Sequence, residues 1–122
     1  MRKKQRLTKT KDFAAARSQG RSYADNLLVL LARPNKLDVT RFGFSVGRRV
    51  GKAVVRNKIK RRLREAARHA PVAAGWDLVL IARKDASSAN FNALGGSMTS
   101  LLKRGRVIGA STEGPGRFSK AG

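Results

Sequence analysis

The chain contains no cysteine and only one histidine among its 122 residues. The absence of cysteine excludes disulfides, a disulfide-linked partner, thiolate metal sites and a cysteine nucleophile. The single histidine, His69, excludes a histidine-rich zinc site and has no evident partner for general-base catalysis. The seven acidic residues are scattered, without the spacing of a carboxylate metal motif. The sequence therefore predicts no metal site and no catalytic residue.

Acidic residues are also scarce relative to basic ones. Seven Asp and Glu stand against 28 Lys and Arg, which gives a formal net charge of +21. A small domain needs a net charge of only about 2 to 8 for solubility. Charge of one sign at this density destabilises a compact state unless an anionic partner neutralises it. The composition therefore predicts a polyanion as partner, and a folded RNA is the favoured one.

Long apolar runs are missing too. No stretch approaches the roughly 20 apolar residues that cross a bilayer. The basic start of the chain lacks the apolar run of about 7 to 15 residues that a signal peptide requires. We therefore expect a cytoplasmic protein without a membrane partner. Hydrophobic residues make up 41% of the chain, enough for one modest core in a domain of this length.

The apolar pattern predicts a single RNA-binding domain over residues 1–104, in which residues 1–9 form a basic, mobile segment. Residues 105–122 are rich in glycine, serine and proline, which predicts a flexible tail. The predicted elements are a helix over 12–19, strands over 22–33 and 40–46, a helix over 53–69, a strand over 76–83 and a helix over about 90–103. This order favours an α/β or α+β two-layer sandwich.

Four aromatic side chains have predicted positions. Phe42 and Phe44 share one face of their strand, so we expect both in the core. Phe91 opens the apolar face of the last helix, followed by leucine and methionine at helical spacing. Phe13 is either a core residue or a platform on which an unpaired base stacks, with Arg17 beside it.

The densest charge lies between Arg48 and Arg68, where ten of 21 residues are Lys or Arg and Glu65 is the single acid. On a helix, Val55, Ile59 and Leu63 gather on one side with alanines. The basic side chains lie opposite and lack acids three or four residues away. We therefore predict that one face packs on the core and the other binds RNA. The RNA-binding residues are Arg48, Arg49, Lys52, Arg56, Asn57, Lys58, Lys60, Arg61, Arg64 and Arg68.

The loop that leads into this helix is not a Walker loop. Only three residues separate its glycines, and Ala53 supplies no hydroxyl after Lys52. The helix starts among cations, which its positive end disfavours unless a phosphate binds there. A merely solvated loop is the alternative.

Residues 42–54 (FGFSVGRRVGKAV), followed by Arg56, Asn57 and residues 58–61 (KIKR), closely resemble the signature of the bacterial ribonuclease P protein component. The resemblance covers nearly everything except the tail. It implies a cofactor of a ribozyme that promotes magnesium-dependent removal of 5′ leaders from precursor transfer RNA. The implied partners are ribonuclease P RNA and precursor transfer RNA. The RNA would carry the chemistry, and the chain alone would bind no cofactor.

The resemblance also implies a small mixed sheet with a left-handed β–α–β crossover, an exception to the usual hand. It places the basic helix on the catalytic RNA and a central cleft on the single-stranded leader. Arg17 and Leu31 stand where some relatives have aromatic residues, and Lys58 stands where Arg is commoner, which removes a planar fork. The residues of the leader-binding cleft are Phe13, Arg17, Leu27, Val29 and Leu31.

Two functions of other classes stay open on the residues alone. A generic RNA- or DNA-binding structural protein, ribosomal or nucleoid-associated, would share the charge and the absence of chemistry. Such a protein would not distinguish precursor from mature transfer RNA. A protein nuclease in its own right would need carboxylate or histidine groupings that the sequence does not contain.

Overall fold

The fold is a four-stranded mixed sheet with helices on both faces, described by a computed structural model over residues 5–7 and 9–108. The helices are α1 (Thr10–Gln19), α2 (Ala53–Arg68) and α3 (Phe91–Arg104). The strands are β1 (Arg21–Ala24), β2 (Leu28–Pro34), β3 (Arg41–Val46) and β4 (Trp76–Ala82). They lie side by side in the order β1-β2-β4-β3. The predicted mixed α/β fold is confirmed.

Residues 22–33 form two strands instead of the single strand predicted, so that prediction was wrong. β1 and β2 pair antiparallel, with Ala24 opposite Val29. The Asp25 carboxylate accepts hydrogen bonds of 2.9 Å from the amides of both Leu27 and Leu28. An aspartate that binds backbone amides two and three residues ahead favours a turn, and this turn reverses the chain.

Asp25 also ties this turn to α3. The hydroxyl of Ser97 donates to its second carboxylate oxygen at 2.5 Å. Burial raises the pKa of Asp25, but the hydrogen bonds from Ser97 and the two amides, together with Arg104, lower it by more. The pKa therefore lies below its ordinary value, and the carboxylate is ionised at neutral pH.

The other strand pairs complete a mixed sheet. β2 and β4 are antiparallel, whereas β3 and β4 are parallel neighbours. Parallel strands need a crossover connection, and α2 supplies it. This is the β–α–β unit that the resemblance implies, and its left-handedness stays a prediction.

One face of the sheet carries the main core, against which α2 and α3 pack. The rings of Phe42 and Phe44 stack with centroids 6.1 Å apart. The predicted core position is confirmed for Phe42, which is buried, whereas Phe44 is half-buried and packs against the core. Phe91 does not join them, because the first residue of α3 lies beyond the edge of the core and is 41% exposed. Asn90 caps α3, accepting a hydrogen bond from the Ala93 amide. Among the described residues, no helix is long and apolar enough to cross a bilayer.

A smaller cluster on the opposite face adds a partial third layer to the predicted sandwich. Leu7, Ala16, Leu31 and Val79 are buried there, beneath α1. The Leu7 amide donates to the carbonyl of Phe42 at 2.7 Å. The prediction that residues 1–9 are mobile was therefore wrong for Leu7, because its side chain is buried and its backbone is bonded. Residues 1–4 and 8 lie outside the described part of the chain.

The domain continues past the predicted start of the tail at residue 105. Val107 and Ile108 are buried in the main core. The carbonyl of Val107 accepts a hydrogen bond from the Ala73 amide at 2.8 Å, and Ile108 forms a β-bridge with Val72. These two apolar residues belong to the domain because their side chains are buried in its core. The rest of the predicted tail, residues 109–122, lies outside the described residues.

A buried carboxylate ties the strands together at one end of the sheet. Asp77 is fully buried and accepts two hydrogen bonds from Arg41, at 2.9 and 2.8 Å. It also accepts one from the Asn35 side chain at 2.8 Å and lies 3.6 Å from Arg33. The hydrogen bond to Asp77 raises the pKa of Arg41, although burial opposes it. Arg41 lies 3.6 Å from Asp12 as well, so the network reaches α1.

We expect the substitution Asp77→Ala to lower the free energy of unfolding by about 3 kcal/mol, because it leaves the Arg41 guanidinium without its buried partner. Asp38→Ala removes the same charge from an exposed position and should cost less than about 0.5 kcal/mol. Urea unfolding of both variants measures the difference. If both variants lost the same free energy of unfolding, the Asp77 network would not stabilise the fold beyond its effect on net charge.

Candidate nucleic-acid interface

At the start of α2, backbone amide donors lie among basic side chains, and no acidic side chain caps the helix. A turn of 3-10 helix at Arg48–Val50 leads into it, and buried Val50 anchors that turn to the core. Lys52 occupies the N-cap position, makes no side-chain capping bond, and no acidic residue lies in the first turn. The first amides of a helix need acceptors from outside the helix. An anion bound here would satisfy them.

The predicted division of α2 into two faces is confirmed. Ile59, Leu63 and Ala67 are buried, and the basic side chains lie outside the core. The structure brings the ten predicted RNA-binding residues together along one surface, which we call the basic face. Exposed members are Arg48, Arg49, Lys52, Asn57, Lys58, Arg61 and Arg68, and half-buried ones are Arg56, Lys60 and Arg64.

Two arginines of α2 are held by backbone carbonyls. Arg56 donates from Nε to the carbonyl of Gly51 at 3.2 Å, which closes the loop before the helix. Arg62, which was not predicted as a site residue, donates to the carbonyl of Ala89 at 3.0 Å and joins α2 to the segment before α3. These contacts fix the position of the helix without neutralising its charge.

Glu65 is the acidic residue of α2, and it forms ion pairs with residues at the end of the helix. Glu65 lies 3.0 Å from Arg68 and 3.1 Å from His69, which is the C-cap residue. The hydrogen bond with His69, followed by the charge of Arg68, lowers the pKa of Glu65. Within the described residues, the remaining cations of the basic face form no ion pair with an acidic side chain. Their charge is therefore available to an external anion.

The opposite face of the sheet carries the predicted cleft, centred on Phe13. The ring lies over β3 at Gly43, where an added Cβ would come within 2.7 Å of the ring. Gly43 is thus the residue that lets the ring approach the sheet. Phe13 is half-buried against the smaller cluster, so it packs on the protein and still presents part of its surface.

The structure places most of the predicted cleft residues on this face of the sheet and one of them, Leu27, against the main core. Val29 is half-buried beside Phe13, whereas Leu31 is buried beneath α1, and Arg17 is exposed on α1. Leu27 packs against the main core instead, because it belongs to the turn before β2 and does not follow the alternation of that strand. Its placement in the cleft was therefore wrong.

Two residues of this face were missed from the sequence. Ile81 lies opposite Val29 on β4, and Ser45 lies opposite Ile81 on β3. Both are half-buried and extend the cleft beyond Phe13. The alternation of β3 and β4 contained the signal, because Ser45 follows Gly43 by two residues and Ile81 follows Val79. Among residues 5–7 and 9–108, no three His, Cys, Asp or Glu side chains are grouped as metal ligands.

Comparison with known proteins gives consistent matches. The family model described as Ribonuclease P matches residues 1–106. A ribonuclease P protein component from Roseiflexus castenholzii is 40% identical over 119 residues, covering 94% of this chain and 98% of the relative. The solved RNase P protein of Staphylococcus aureus aligns with a TM-score of 0.78 at 34% identity, over 85% of this chain and 97% of its own. The solved RNase P protein of Thermotoga maritima aligns with a TM-score of 0.75 at 36% identity, over 81% of this chain and 96% of its own.

The missing cap at α2 has a consequence for stability. We expect Lys52→Asp to raise the free energy of unfolding by about 1 kcal/mol, because aspartate supplies both a capping acceptor and a negative charge at the helix start. Lys52→Gln removes the charge without supplying a good cap and should give a smaller gain. Chemical denaturation at low salt compares the three proteins. A Lys52→Asp protein no more stable than the parent would contradict this account of the helix start.

Proposed function

The chain belongs to the ribonuclease P protein family, and from that premise we propose that its basic face binds the RNA subunit of the enzyme. A ribonuclease P protein component is a subunit of an endoribonuclease that processes transfer RNA, and its partner is ribonuclease P RNA. The observation that carries the proposal is the basic face itself. Its cations lie on one surface, and those outside the last turn form no ion pair within the described residues.

The binding would be mainly electrostatic. Each phosphate that a cation neutralises releases counterions, which favours association and makes it depend on salt. At the start of α2, Arg48, Arg49 and Lys52 surround backbone amides that have no side-chain cap. A phosphate of the RNA subunit at this position would accept hydrogen bonds from those amides and reduce the repulsion among the three side chains. The rest of the basic face would follow the RNA backbone from there.

The cleft on the other face is the proposed contact for the single-stranded 5′ leader of precursor transfer RNA. Phe13, Val29 and Ile81 offer a half-buried apolar surface, and Arg17 is exposed on the same helix as Phe13. Stacking on an aromatic ring tolerates any base, which suits leaders of different sequence. Because Phe13 is the single aromatic residue among these cleft residues, charge from Arg17 would contribute a larger share of the binding.

The proposed contribution of the chain to the reaction is organisational. The RNA subunit would carry the magnesium-dependent hydrolysis, and the protein would reduce phosphate repulsion so that ribozyme, precursor and metal ions approach together. No reacting group is assigned to this chain. A cytoplasmic location stays a prediction.

Arg61 on the basic face and Lys103 on α3 are both exposed helical cations, and they provide a matched test. We expect Arg61→Ala to weaken binding to a bacterial ribonuclease P RNA about tenfold, because a hydrogen bond to a charged group contributes roughly 1.5 kcal/mol or more. Lys103→Ala should change the affinity less than about twofold. Filter-binding titrations at fixed salt measure both. Equal effects would argue against the basic face as the main RNA contact.

A further inference from the structure

We infer that the chain has a second nucleotide-binding site, at the end of the sheet away from the start of α2. One cavity, of ≈ 650 Å³, borders Phe42 on another part of the surface. A second cavity, of ≈ 600 Å³, lies where β1 and β4 begin and where the chain leaves α3. We call the second cavity the edge pocket. Its functional side chains are Arg21, Tyr23, Trp76, Arg104 and Arg106.

Three guanidinium groups line the edge pocket, and no acidic side chain is among its described lining residues. Arg104 is fixed, since it donates to the carbonyl of Ala24 at 2.8 Å and lies 6.0 Å above the centre of the Tyr23 ring. Arg21 and Arg106 are exposed, and neither side chain has a hydrogen-bond or ion-pair partner within the described residues. Guanidinium forks match the oxygens of a phosphate, so this arrangement fits an anion of that class.

The pocket also contains the aromatic surface that a nucleobase needs. Tyr23 and Trp76 are both half-buried and line the cavity. The Tyr23 ring is held close to the backbone at Gly105, where an added Cβ would lie 3.2 Å from it. Since Arg104 already covers Tyr23, Trp76 is the ring available to a base. Rings stack on unpaired bases while arginines bind the adjoining phosphate, and the cavity volume suits one nucleotide.

The edge pocket is separate from the start of α2, where Arg48, Arg49 and Lys52 lie. In the sheet, Pro34 pairs with Trp76 at the pocket end, whereas Val46 pairs with Ala82 at the other end. Arg48 follows shortly after Val46, so the start of α2 lies near that other end. The seven residues of β4 span about 20 Å. A single RNA segment of one or two nucleotides cannot reach both sites, so the edge pocket would take an unpaired nucleotide from a different part of the RNA. This inference rests on the proposed RNA-binding function and adds a site to it.

Trp76 makes the inference directly testable, because it is the only tryptophan of the chain. The full chain is titrated with a short oligouridylate, and indole fluorescence is excited at the red edge of its absorption to avoid the bases. A base stacked on Trp76 should quench the emission with saturation. The double variant Arg21→Gln, Arg106→Gln should bind at least about tenfold more weakly in this assay, because it removes the two free guanidinium groups. Circular dichroism checks that the variant is folded.

The matched control, Lys11→Gln with Lys84→Gln, removes two exposed charges that lie outside both the basic face and the edge pocket. It should retain the quenching with an affinity within about threefold, since only distant screened charge is lost. Equal weakening in both double variants would overturn the inference. So would equal quenching by an oligoglutamate, which would make the pocket a general anion site. A labelled oligouridylate that binds by anisotropy without changing Trp76 emission would also overturn it and leave the proposed function intact, because the Arg61 titration does not depend on Trp76.

Discussion

Repulsion among positive charges is the constraint on which this structure depends. The chain holds 28 Lys and Arg against seven Asp and Glu, so most cations cannot have an acidic partner. The acids that do pair serve the fold: Asp77 and Asp12 hold Arg41, and Glu65 holds the end of α2. Asp25 stabilises the turn between β1 and β2. The cations left over lie on the surface, outside the two buried apolar clusters.

That core also determines where the charge is presented. The apolar side of α2 packs on one face of the sheet and turns its basic side outward, while α1 covers part of the other face and positions Phe13 over Gly43. The basic face and the cleft are therefore on opposite sides of one sheet. Under the proposed function, this arrangement lets one small chain contact the RNA subunit and the leader of its substrate at the same time.

Much of this was predictable from local pattern, and the failures have identifiable causes. The bounds of α2 and β4 followed from periodicity, because both elements bury a regular stripe or a continuous run. The turn at Asp25 was missed because the apolar residues after it continue the apolar pattern of one strand, although aspartate and asparagine, here Asp25 and Asn26, are common turn residues. Val107 was assigned to the tail on composition, but two apolar residues were enough to complete the core. Leu27 was misplaced because the alternation begins only at Leu28.

The edge pocket was beyond prediction by pattern. Its arginines and aromatic rings come from residues 21–23, 76 and 104–106, which are distant in sequence and meet only because β1, β4 and the end of α3 converge. No periodicity connects such segments. Membership of the ribonuclease P protein family was recoverable from residues 42–61, since a long ungapped pattern carries far more information than the charge of any one helix.

If the unpaired positive charge of this chain acts by reducing repulsion between RNA phosphates, its effect should be largest at low magnesium, where divalent ions screen the phosphates least. Cleavage of a 5′-leader-bearing precursor transfer RNA would be measured with a bacterial ribonuclease P RNA alone, with this protein alone, and with the two together. We expect cleavage only in the mixture, because the protein replaces screening that divalent ions would otherwise supply. Absence of rescue in a mixture where the protein is bound to the RNA, or cleavage by the protein alone, would contradict it.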